Sequence, residues 1–104
     1  MKRSLFDDIP TELPDELIEV LVRSGNVRIE RILSRGHSSP GDFWYDQETN
    51  EFVLLLKGRA GLKFEGKEDV IMEAGDYLDI KAHTRHRVEW TANDEDTLWL
   101  AIHY

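Results

Sequence analysis

The feature that most constrains this chain is its rhythm of short apolar, β-branched segments, each closed by a turn before reaching helical length. Ser24-Gly25-Asn26 turns the chain into Val27 to Leu33, which predicts a hairpin with the segment before it. Phe52 to Lys57 is apolar on both sides of its alternation and reads as a strand buried on both faces. Gly58 and Gly61 flank a tight connection into Leu62-Lys63-Phe64, and Gly66-Lys67 turns the chain again into Val70-Ile71-Met72. Ala74-Gly75-Asp76 precedes Tyr77 to Ile80, His86 to Thr91 forms a further alternating segment, and Thr97 to Tyr104 follows the acidic turn Asn93 to Asp96. Roughly eight or nine such strands predict an all-β domain, an antiparallel sandwich or barrel rather than alternating helix and strand.

A length of 104 residues fits one core, large enough to fold without metal or disulfide staples. Residues 1–15, bracketed at their end by Pro10 and Pro14, read as an N-terminal arm, and residues 16–104 as the barrel domain. Between Glu16 and Arg23, Ile18, Val20 and Val22 alternate while Leu17 and Leu21 also fit a helical stripe; the β-branched content favours a strand. Gly36 to Asp42 has a loop composition and leads to the aromatic triplet Phe43-Trp44-Tyr45.

The absence of cysteine excludes disulfides, thiolate metal sites and thiol nucleophiles, and fits a reducing compartment. The formal charge of −8 argues against nucleic acid as a partner, since phosphate binding is driven by lysine and arginine. Lys81, Arg85 and Arg87 nevertheless gather near His83 and His86, a local setting for a small anion or simply a solvated strand end. No apolar run approaches the roughly 20 residues of a membrane helix, and no signal-peptide pattern develops at the start, so a cytoplasmic protein without a membrane partner is expected. No phosphate loop, nucleophile elbow or serine triad motif is present.

Glu51 lies seven residues before Gly58, and Gly75 lies eleven before His86, on two separate strand-and-turn units. This pairing resembles the cupin family, whose first motif has two histidines one residue apart, then a glutamate and a glycine, and whose second has a glycine, a proline and a histidine. Where the first-motif histidines fall, this sequence has Trp44 and Asp46, or Tyr45 and Gln47 if the spacing is one shorter. Lys81 stands at the usual proline, His83 at the usual glycine and Trp90 at the usual asparagine. The resemblance implies a small antiparallel barrel of the double-stranded β-helix or jelly-roll type, a metal site inside it, and frequent homodimers.

Strand alternation places Glu51 with Val53 and Leu55, and His86 with Val88 and Trp90. If both sets face inward, Glu51 and His86 meet in an apolar cup, which Asp46 and His83 join from neighbouring turns. That set suits a divalent ion such as iron, manganese, zinc or nickel, acting on or binding a small polar molecule. The alternative is a metal-free ligand-binding or structural dimer, the carboxylates hydrogen-bonded in a polar cleft. The aromatic residues Trp44, Tyr45 and Trp90 are candidates to line the mouth of the cup. His37 reads as a loop-packing residue and His103, alternating with Trp99 and Ala101, as a hydrogen-bonded core histidine. A homodimer is expected because Phe52, Leu54 and Leu56 need cover on the face opposite Glu51.

Overall fold

The computed structural model describes residues 1–104 and contains eight strands and no α-helix. They are β1 (Leu17–Ser24), β2 (Val27–Ser34), β3 (Glu51–Lys57), β4 (Arg59–Phe64), β5 (Val70–Glu73), β6 (Tyr77–Ile80), β7 (His86–Thr91) and β8 (Thr97–His103). A five-stranded sheet, in the order β1-β2-β8-β3-β6, faces a three-stranded sheet in the order β5-β4-β7. All pairings are antiparallel, giving an all-β jelly-roll of two sheets.

The segment that also fitted a helix forms β1, paired with β2 through the Ser24–Val27 hairpin. A register shift between Val20 and Val22 breaks its alternation and leaves Val20, Leu21 and Val22 exposed together. Strand β3 differs from the expectation of full burial on both faces. Glu51, Val53 and Leu55 are buried, whereas Phe52, Leu54 and Leu56 are only half-buried on the outer face. The core joins Val53, Leu55 and Trp99 of the larger sheet to Ala60, Leu62 and Met72 of the smaller one, with Ile80 beside them.

Two glycines are fixed by close approach. Gly58 makes the turn between β3 and β4 at φ +89°, and a Cβ there would lie 2.6 Å from the Asp96 carbonyl. Gly61 lies inside β4 rather than in a connection, and a Cβ on it would lie 2.1 Å from Trp90 Nε1.

The arm runs along the larger sheet, held by side chains that donate to its backbone. Arg31 is buried and donates to the carbonyls of Leu5 (3.0 Å) and Asp7 (2.5 Å) while pairing with Glu19. Arg35 donates to Pro10 and Thr11 carbonyls at 3.1 Å and pairs with Asp96 at 2.6 Å. His37 packs the loop as expected, with Nδ1 accepting from the Arg35 amide at 2.9 Å and Nε2 3.1 Å from the Pro14 carbonyl.

Candidate functional site

Alternation within the larger sheet and pairing between its strands place a row of polar groups on its inner face. Arg28 of β2 lies opposite His103 of β8, and His103 lies opposite Glu51 of β3. Glu30, two residues along β2 and on the same face as Arg28, reaches His103 diagonally, with 2.9 Å between its Oε1 and His103 Nε2. His86 comes from the facing sheet, at the start of β7, where a β-bridge ties it to Tyr45. These groups enclose a cavity of about 200 Å³ whose remaining wall includes Ile32, Val53, Leu62, Ile80, Val88 and Trp99.

Glu51 is the centre of this arrangement. Its Oε1 accepts from the Gln47 amide at 3.0 Å and lies 3.6 Å from His86 Nε2, and its Oε2 lies 3.9 Å from His103 Nε2. Burial pushes its carboxyl up, but His86, the Gln47 amide and the field of His103 outweigh burial and hold it below the ordinary glutamate value. The carboxylate is therefore ionised at neutral pH. Tyr45 stacks on His86 with ring centroids 5.3 Å apart. Burial, and then the fields of Glu16, Glu51 and Glu30, push its phenol up, so it remains a neutral hydroxyl.

The tautomer of His86 follows from its partner. Nδ1 lies 2.7 Å from the Thr84 carbonyl, which only accepts, so Nδ1 carries a proton and Nε2 is the nitrogen offered to the cavity. The imidazole of His103 is buried between Glu30 and Glu51, and its Nδ1 has no hydrogen-bond partner.

Residues 29–103 match the cupin domain family model. The chain belongs to the cupin family. A Ralstonia eutropha JMP134 protein provisionally named a mannose-6-phosphate isomerase is 43% identical, covers 99% of this chain and 96% of its own, and superposes with a TM-score of 0.95. A cupin superfamily protein of Desulfitobacterium hafniense DCB-2 is 21% identical, covers 91% and 82% of the two chains, and has a TM-score of 0.74. The RmlC-like cupin of Methanocaldococcus jannaschii, described as a double-stranded β-helix, is 15% identical over 92% and 85%, with a TM-score of 0.71. No curated protein matches the sequence.

Within this cupin, Glu51 and His86 do meet in one hollow, but Asp46 and His83 do not join them. Those two pair with each other at 2.8 Å on the outside, their side chains 51% and 67% exposed. The shorter motif spacing is the one the backbone follows: Tyr45 and Gln47 face the cavity, at the positions where other cupins have histidines. The intervening Asp46 consequently points the other way. His83, at the family's glycine position, adopts φ 61°, a left-handed conformation that explains why glycine suits that site.

Of the three aromatic candidates only Tyr45 lines the cavity. Trp44 lies outside beneath the Arg85 guanidinium, 5.6 Å from it. Trp90 is displaced by a register shift: Gly61 pairs with Trp90 but Leu62 with Val88, so Glu89 is skipped and the alternation inverts. The basic cluster is also spent. Lys81 pairs with Asp79 and Arg85 with Glu65, while buried Arg87 pairs with Glu89 and donates to the Ser39 and Gly41 carbonyls.

The donor set fits a metal poorly. The four positions cupins use supply Tyr45, Gln47, Glu51 and His86, in which the amide is already turned to donate to Glu51. No three His, Cys, Asp or Glu residues are grouped so as to hold a metal ion. What the cup offers instead is an ionised carboxylate and an imidazole facing one hollow, able to accept hydrogen bonds from a bound molecule. Glu30, Arg28, Gln47 and His103 were not identified as site residues from the sequence. For His103 the signal was present, because it shares the inward alternation of Trp99 and Ala101.

Proposed function

We propose that this cupin binds a small molecule in its interior cup, with Glu51 and His86 as the polar anchor and no metal ion between them. The observation that supports this most is the use made of the two positions that would complete a four-ligand set. Gln47 spends its amide on Glu51, and Tyr45 covers the face of His86. Both residues hold the anchor in place rather than adding donors to it. A cavity of about 200 Å³ with apolar walls and few polar groups has the character of a small-ligand site.

Thermal unfolding against a panel of small metabolites, each measured with and without chelator, tests the reading. A sugar phosphate belongs in the panel because of the name the Ralstonia protein carries. The expected result is a saturable rise in Tm with at least one compound, undiminished by chelator, since a ligand specific to the folded state stabilises it by mass action. A rise that disappears with chelator would transfer the function to a bound metal, and indifference to the whole panel would remove it.

Homodimerisation belongs to the same proposal. Phe52, Leu54 and Leu56 are half-buried on the outer face, Tyr77 stacks on Phe52 while 64% exposed, and edge strand β1 keeps four large aliphatic residues exposed. Sedimentation equilibrium is expected to give twice the chain mass; a monomer at tens of micromolar would contradict pairing.

A further inference from the structure

We infer that the cup takes a small primary amine with an apolar body, its ammonium group received between Glu51 and His86; this rests on the cup being a binding site at all. The argument begins with hydrogen-bond direction. With the His86 Nδ1 proton committed to the Thr84 carbonyl, Nε2 is the ring position left to the cavity, and 3.6 Å away stands Glu51 Oε1. At that separation the two groups are beyond hydrogen-bond distance, so each keeps an open position on the cavity. The other carboxylate oxygen, Oε2, receives no hydrogen bond from the protein; the nearest imidazole, at 3.9 Å, is engaged by Glu30. Glu51 is 9% exposed, so this is an anion nine-tenths buried with an acceptor left open to the cavity. An ammonium group, with three donors and a positive charge, satisfies both oxygens and the imidazole nitrogen together.

The charge of the whole cavity selects in the same direction. Glu16, Glu30 and Glu51 line it against a single guanidinium, that of Arg28, which Glu30 holds at 2.8 Å. The excess is two negative charges with both imidazoles neutral and none with both protonated. No protonation state of the histidines makes the interior net positive while its carboxylates are ionised, so a phosphate or carboxylate ligand gains no attraction from the cavity's net charge. The raised phenol of Tyr45 reports the same negative field from Glu16, Glu51 and Glu30, after burial itself. Ile32, Leu62 and Trp99 add apolar wall to the same cavity. A volume of about 200 Å³ compares with the roughly 150 Å³ that accommodates benzene in an engineered cavity. The space therefore suits a body of about one ring with a short charged arm.

Benzylamine, benzyl alcohol and benzoate form a series of similar size that differs in charge at the arm. In titrations of the intact protein followed by calorimetry at neutral pH, benzylamine is expected to bind about tenfold or more tightly than benzyl alcohol, and benzoate not to bind. Glu51→Gln is expected to erase the preference for the amine over the alcohol. In the wild-type protein, which guards against a variant that fails to fold, benzylamine is expected to shift the ring nitrogen resonance of His86 Nε2. Equal or tighter binding of the alcohol or benzoate would overturn the amine assignment and leave the cup as a binding site. Amine binding that survives Glu51→Gln, or leaves the His86 resonance unmoved, would place the amine elsewhere and overturn the assignment. Absence of binding by all three would overturn it too, and the metabolite panel decides separately whether the cup binds anything.

Discussion

Glu51 stands where burial, a neutral amide and two imidazoles act on one carboxylate, and the balance favours its ionised form. A carboxyl depressed in the folded state stabilises the fold above its unfolded pKa, and that contribution is lost as the pH falls through the lower, folded value. Glu51→Gln removes this linkage while retaining the side-chain shape. The stability gap between wild type and variant, measured by urea unfolding, is therefore expected to be larger at pH 7 than at pH 3; a gap that widens in acid would contradict the account. At this scale the sequence singled out Glu51 and His86, which meet in one hollow, and joined to them Asp46 and His83, which lie outside it. A motif with two admissible spacings leaves open which of Asp46 and Gln47 faces inward, and a shift of one residue reverses every side chain in an extended segment. Chemistry favoured Asp46 as the better ligand, whereas the backbone turned Gln47 inward and paired Asp46 with His83 outside.

Strand rhythm made most elements legible, and deviations from it account for the misreadings. The skipped residue Glu89 moved Trp90 away from the cavity, and a single sequence carries no sign of such a bulge. Glu30 and His103 meet across 73 positions of chain, a contact created only by β8 inserting between β2 and β3. The two constrained glycines of β4 and its turn give a prediction at this scale. Gly58→Ala combines a left-handed φ with a clash against backbone and is expected to cost about 2 kcal/mol or more. Gly61→Ala meets only the side chain of Trp90, 38% exposed and able to swing outward, so the loss is expected to be smaller and accompanied by a change in tryptophan fluorescence. Equal losses from chemical denaturation would refute the distinction between the two sites.

On the scale of the whole molecule, the two sheets close over the core and the N-terminal arm is fastened by hydrogen bonds from Arg31 and Arg35 to its carbonyls. Arg31→Ala leaves several arm carbonyls without their donor and is expected to speed proteolytic cleavage within residues 1–16 while β2 to β8 stay resistant. Unchanged cleavage would show that the arm is held by other contacts. The central claim, a cup anchored by Glu51 and His86 without a metal, is tested most directly by the metal content of untagged protein purified without chelator and dialysed against iron, manganese, zinc and nickel in turn. The account predicts well under one equivalent of any of them. One equivalent retained per chain, and lost on substituting Glu51 or His86, would contradict it.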